Sequence, residues 1–210
     1  MTSGTLLERA LATPAPAGDD PSAERILDAS LELVAASGLK HLTMDEAAER
    51  AGVGRMTVYR RFGDRQSLVD ALAAREARRC LAELDRAVDP TLPVPEAIAR
   101  GFVASLGLIR SHPLLDRLAR HEPETALTAL NAGQGAILVM GREFVAARLR
   151  DAQERGDLDA GLDTTHAAEL VVRLAFSFLL MPKSSLPLDD PDAAAETART
   201  LIAPILGEHL

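Results

Sequence analysis

The sequence predicts an all-α protein, and three observations carry that expectation. The 210-residue chain is 47% hydrophobic but only 3% aromatic, so its core must be built mainly from Leu, Ala, Val and Ile, a composition that favours helices. Apolar residues recur at spacings of three and four along most of the chain. Gly and Pro divide these stretches into segments of helical length, with no convincing strand alternation and no internal repeat.

Residues 1–20 read as a disordered tail, because TPAPAGDD offers little to bury. A helical turn from Leu6 to Ala12 is possible but nothing forces it, and Arg9 set against Asp19 and Asp20 makes a poor basic arm for a minor groove. The first helix is expected over 22–37, entered at Pro21, with Ile26, Leu27, Ser30, Leu33 and Val34 on its inner side and Gly38 as its stop. Thr43-x-x-Glu46 is a capping box that opens a second helix reaching about Ala51. Gly52-Val53-Gly54 is a turn, and a third helix covers 54–61. Phe62-Gly63-Asp64 breaks it, and Asp64 caps a long fourth helix over 65–87 whose apolar members include Leu68, Leu72 and Leu81.

Asp89-Pro90 through Pro95 is a connector and the expected domain boundary, separating a unit of 21–88 from one of 95–210. Helical patterns follow at 95–110, 113–121, 123–131, 134–155, 163–181 and 190–207. Gly101, Gly107, Gly133, Gly135 and Gly141 loosen them, and breaks fall at Gly156-Asp157 and 182–187.

The net charge of −8 argues against a chain coated in nucleic acid, but a sum hides local patches. Residues 54–65 hold four arginines against one aspartate, a local charge of +3. On a helical wheel Val58 and Phe62 share one side, about 40° apart at 100° per residue. Met56, Thr57 and Arg60 fall opposite, Tyr59 and Arg61 flank them, and Arg55 lies nearer the anchored side but can swing forward in the first turn. An arginine can pair with guanine O6 and N7, Thr and Met can meet a thymine methyl, and hydroxyls suit phosphate oxygens. Two helices joined by a tight turn, with the basic face on the second, is the helix-turn-helix layout. The competing explanation is a solvated charged face.

Residues 23–72 resemble the N-terminal domain of the TetR (tetracycline repressor) family of transcriptional regulators. The matching features are Ile26-Leu27, Gly38, Leu42-Thr43, Ala48, Ala51-Gly52-Val53, Thr57, Tyr59, Phe62 and Leu68. The resemblance implies a three-helix helix-turn-helix DNA-binding domain followed by a variable helical ligand-binding and dimerisation domain. It makes Thr43, Arg55, Met56, Thr57, Tyr59, Arg60, Arg61 and Arg65 the candidate DNA contacts. Arg61 stands where the family commonly has His and Arg65 where it has Lys, so both keep a cationic donor. Gly54 replaces a more usual polar residue and gives up a cap. Ala47 replaces a larger aliphatic residue.

The resemblance further implies a homodimer through the last two helices. Ala168, Val171, Val172, Ala175, Phe176 and Leu179 on one, and Ala194, Ala198, Leu201, Ile202 and Ile205 on the other, suit close helix approach, although an intramolecular core would use the same residues. The partners implied are double-stranded, near-palindromic operator DNA and a small, mostly apolar effector. Candidate pocket residues are Phe102, Leu106, Leu118, Ile137, Met140, Phe144, Phe176 and Phe178, each of which reads as plain core before it reads as a ligand contact. Arg142 and Arg173 are the polar candidates, and Arg173 can instead pair with Glu169 four residues back.

Other chemistry finds little support. His112, Asp116, His121, Glu122 and His166 match no zinc spacing, and no phosphate or dinucleotide glycine pattern occurs, so neither an enzyme nor a metal or cofactor is expected. Cys80, the only cysteine, cannot form an internal disulfide. Arg75, Arg78 and Arg79 beside it could lower its pKa, as a redox sensor requires, or it is an inert helix residue. No signal peptide is recognisable, and the longest apolar run, 174–182, is about half of the roughly 20 residues a membrane span needs, so a cytoplasmic regulator is expected. The alternative class is a helical small-molecule-binding or interaction protein that does not touch DNA.

Overall fold

The computed structural model describes residues 21–131, 136–181 and 183–206. The expected tail over 1–20, and Gly133, Gly135 and Pro182, lie outside the described residues. Within them the chain is helical, in the order α1 (Pro21–Ser37), α2 (Met44–Ala51), α3 (Arg55–Phe62), α4 (Arg65–Ala87), α5 (Val94–Ser111), α6 (Pro113–His121), α7 (Pro123–Asn131), α8 (Ala136–Arg155), α9 (Thr164–Leu180) and α10 (Pro191–Thr197). No strand occurs among the described residues.

The first three helices close around Ile26, Leu27, Val34, Leu42, Val58 and Leu68, all of them fully buried. Local chemistry sets their ends. Thr43 Oγ1 accepts from the Glu46 amide at 3.2 Å and donates to Glu46 Oε2 at 2.7 Å, so the carboxylate meets the hydroxyl of the capping box. Gly52 ends α2 in the left-handed region, at φ 64°. Asp64 accepts from the Ser67 amide at 2.8 Å and opens α4. Between α1 and α2 the chain makes a short 3-10 turn over Leu39–His41 that the periodicity did not separate.

Two departures have physical causes. The last helix is not continuous over 190–207: after α10 the winding loosens to a π-turn over Ala198–Ile202 and tightens to a 3-10 turn over Ala203–Leu206. Pro204 sits in that stretch and has no N–H for the carbonyl four residues back. The core also ignores the expected domain boundary. Leu114 and Leu118 of α6 and Ala126 of α7 belong to the same buried cluster as α1 to α4. A second cluster joins α5, α8 and α9 through Val94, Ala146, Leu149, Ala152, Ala167 and Ala168. There Gly141 permits close approach: a Cβ on it would lie 3.1 Å from Val172 Cγ1.

One buried arginine ties α4 to α1. Arg75 is 4% exposed and its Nε donates to Glu76 Oε1 at 2.7 Å. Its Nη1 reaches back to Asp28 Oδ1 at 2.8 Å and Glu24 Oε2 at 3.2 Å. Burial alone would raise the Glu76 pKa, but the hydrogen bond from His112 and the charges of Arg75 and Arg79 outweigh it, and the carboxyl sits below its ordinary range. Glu76→Gln should therefore lower stability by about 2 kcal/mol near neutral pH. A depressed carboxyl stabilises the fold above its unfolded pKa and loses that contribution as pH falls through the lower folded value. Thermal melts of the two proteins should differ at pH 7, and the difference should begin to shrink only as pH falls below the ordinary carboxyl range of about 4.3, vanishing below the lower folded value.

Candidate nucleic-acid interface

α3 is held to the head by Val58 and Phe62, which are buried, as the wheel predicts. The opposite face is open. Met56 is 75% exposed, Arg60 is exposed and makes no ion pair among the described residues, and Thr57 is half-buried beside them. Arg55 is less mobile than the sequence suggests. Its Nε lies 2.8 Å from Asp45 Oδ1 of α2, and its guanidinium lies over the Tyr59 ring, 5.3 Å from the centroid. The hydrogen bond to Tyr59 and then the charge of Asp45 raise its pKa, so it stays cationic. Asp45, which sequence reasoning passed over, thus orients the first arginine of α3 from the first turn of α2. Arg61 is half-buried.

Two of the predicted cations and hydroxyls are engaged within the fold. Arg65 donates to Leu42 O at 2.7 Å and Leu39 O at 2.6 Å, pinning the turn before α2. The Thr43 hydroxyl is occupied by Glu46. The structure therefore brings Met56, Thr57 and Arg60 together as an open face, sets Arg55 and Tyr59 beside it as a coupled pair, and places Thr43 and Arg65 as supports at its rim.

A cavity of about 340 Å³ lies between α4, α5, α6, α8 and α9. Of the predicted pocket residues, Phe102, Leu118, Ile137, Met140, Phe144 and Phe176 line it. Leu106 does not, and packs on Leu188 and Ala194 instead. Phe178 meets Phe102 edge-on with centroids 5.3 Å apart. Arg173 turns outward, bonding Glu169 at 2.8 and 2.6 Å, and Arg142 reaches the same glutamate at 3.4 Å. Leu81, Leu84 and Ala77 of α4 complete the wall. Only Leu81 was noted among them, though all three lie on the helix's inward side.

Cys80 also lines the cavity, and its thiol is that of an inert helix residue, without the activation a redox sensor requires. Burial first, then the charges of Glu76 and Glu83, push its pKa up to about 12, while Arg75 is turned toward the acids of α1. The scattered His and acid residues form no metal-ligand group among the described residues. His112 is the cap residue between α5 and α6, and its ring is 11% exposed and bonds Glu76. Glu122 binds the backbone of Leu39, and His166 bonds Asp163.

Comparison with known proteins places these features. The model of the family described as bacterial regulatory proteins, tetR family, matches residues 26–72, which span most of α1 through the first turns of α4. An uncharacterized HTH-type transcriptional regulator of Mycobacterium bovis is 30% identical over 153 residues, covering 73% of this chain and 77% of that one. This chain belongs to the TetR family. The HTH-type transcriptional regulator AlkX of Mycobacterium tuberculosis is 29% identical over 188 residues, 89% of this chain and 85% of that one. Among solved TetR-family structures, the repressor QsdR of R. erythropolis superposes with a TM-score of 0.62 at 27% identity, covering 90% and 96% of the two chains. The repressor AlkX from Dietzia gives 0.65 at 24% identity, over 90% and 96%. The protein is a helix-turn-helix transcriptional regulator, a class of regulatory DNA-binding proteins. Among the described residues no helix is long and apolar enough to cross a membrane.

For a TetR-family chain the entry to α3 is bare: Gly54 is the cap and supplies no side-chain hydrogen bond. Its backbone is extended, and a Cβ there would meet only Thr57 Oγ1 at 3.8 Å. Gly54→Ser should fit without strain and stabilise the protein by a few tenths of a kcal/mol, roughly one degree in Tm by thermal melt.

Proposed function

We propose that this protein is a ligand-responsive repressor that binds a near-palindromic operator as a homodimer. The observation that carries the reading is the pairing of an outward α3 face, Met56, Thr57 and Arg60, with an apolar cavity whose wall residue Leu118 also belongs to the head's core. Arg60 and Arg55 are the candidate base readers, while Tyr59 and Arg61 set register on phosphates and Thr43 and Arg65 position the turn. A small, mostly apolar effector entering between α4, α5, α6, α8 and α9 would shift α5 or α6, tilt α4 and change the spacing of the two heads. It acts only through its different affinity for the two states. A same-fold FadR of Bacillus subtilis, 17% identical, is described in complex with stearoyl-CoA, and Dietzia AlkX is described as implicated in biodegradation of n-alkanes. Both support an aliphatic effector.

The dimer reading rests on the last two helical stretches. Ala168, Val172, Leu179, Ala194, Ala198 and Ile202, expected at the subunit contact, are buried within the chain. Leu170, Leu201 and Ile205 remain 56, 58 and 51% exposed on the same two elements, and they are the residues a partner would cover.

Footprinting on DNA upstream of its own gene, with salt titration, tests the regulator. Affinity should fall steeply as salt rises. Arg60→Ala should cost about 1–3 kcal/mol on the specific site and far less on random duplex, whereas Tyr59→Phe should weaken both alike. For the dimer, Leu201→Glu should yield a monomer by analytical ultracentrifugation and abolish specific binding. A wild-type protein that is monomeric at micromolar concentration rules the spacing mechanism out.

A further inference from the structure

α6 is fastened to the DNA-reading head at both ends. At its start, His112 Nε2 donates to Glu76 Oε2 at 3.0 Å, and Glu76 is paired with Arg75, which holds Asp28 and Glu24 of α1. At its end, Glu122 Oε1 accepts from the Leu39 amide at 3.1 Å and from Arg117 Nε at 3.3 Å. This second contact requires glycine at 38. A Cβ there would fall 2.1 Å from Glu122 Oε1 and 2.8 Å from Arg117 Nη2, and the backbone has φ +94°. Between its ends, α6 buries Leu114 and Leu118 in the head's core, and the same two leucines, with Leu115, line the cavity.

The segment that Glu122 grips leads directly to the reading helices. Leu39 and Leu42 carry the carbonyls that Arg65 holds, and Thr43 caps α2 in the next position. α6 therefore has one side in the cavity and both ends on the head; its start is held through Glu76 of α4, whereas its end reaches the turn before α2 directly through Glu122.

We infer that the Glu122–Leu39 hydrogen bond is a coupling clamp, through which cavity occupancy moves the turn in front of α2. Glu122 touches neither cavity nor DNA-facing residues and acts as a positioning residue. The inference rests on the proposed operator-binding reading. Hydrogen bonds fail over small displacements, so a shift of α6 by about 1 Å opens a 3.1 Å contact. By linkage, whatever cavity occupancy does to DNA affinity, DNA does to the cavity.

That reciprocity allows a test with DNA as the probe. A duplex is selected from a random pool on the full-length protein, and backbone hydrogen exchange is measured with and without it. In the wild type, duplex binding should change exchange across 113–122 by about fivefold or more, at the lower end of usual site coupling. Glu122→Ala should bind the same duplex within about threefold and lose that change. Glu122→Asp, too short to reach Leu39 but still charged beside Arg117, should do the same and serves if the alanine variant fails to fold. Glu122→Gln keeps an acceptor oxygen for the Leu39 amide and should behave as the wild type. An unchanged response in the alanine and aspartate variants, or no response of 113–122 in the wild type, overturns the clamp while leaving the operator reading intact. Selection that yields no duplex sinks both.

Discussion

Leu114 and Leu118 of α6 lie at 6 and 8% exposure among the side chains of α1 to α4, and the organisation of the molecule depends on their burial there. Each buried leucine contributes about 1.5–3 kcal/mol, so the pair is comparable with a good part of a domain's usual net stability. A unit of some 70 residues buries too little surface to be robust alone. The head is thus completed by the part of the chain that encloses the cavity. A linker with independent domains on either side would let each fluctuate without the other, and this packing forbids it. The buried Arg75–Glu76 pair adds direction to an otherwise non-directional contact, because a buried charge that loses its partner is costly.

Charge works on a different scale. The sequence sums to −8, with +3 over residues 54–65. The folded protein narrows that patch further. Arg65 is spent on Leu39 and Leu42 carbonyls, and Arg55 faces Asp45. The open face of α3 is left with Arg60 flanked by Met56 and Thr57. The acidic remainder of the chain repels DNA wherever this face is not presented. In the proposed dimer, tight binding would then depend on two heads landing together, which suits a regulator that must ignore most DNA.

What the sequence revealed divides along a physical line. Features written within a few residues were legible: the Thr43–Glu46 cap, the Gly52 turn, Asp64 opening α4, and the burial of Val58 and Phe62. So was Arg173 pairing with Glu169, because four residues on a helix are neighbours. Features that need distant partners were not. Nothing in local spacing says that Arg65 turns back 26 residues to Leu39, or that Glu122 lies against Gly38. The surroundings of Cys80 were hidden for the same reason. Its neighbours in sequence are arginines, but Arg75 points at α1 and the thiol meets burial and acids instead. Apolar periodicity also failed to assign Leu106, since a helix packed on two sides offers two inward faces and only one borders the cavity.

The two kinds of contact that α6 makes respond differently to movement. Apolar burial tolerates a small slide or rotation, because it depends on area removed from water and hardly on angle. The hydrogen bonds at His112 and Glu122 depend steeply on distance and alignment. A helix held by both can shift slightly while its leucines stay buried, so the fold survives and only the directional contacts change. That is the requirement for a switch with two packed states and no unfolding between them. It also explains what glycine does beside the clamp: at Gly38, where φ is +94°, a single methyl would occupy the place of the Glu122 oxygen and displace it from Leu39.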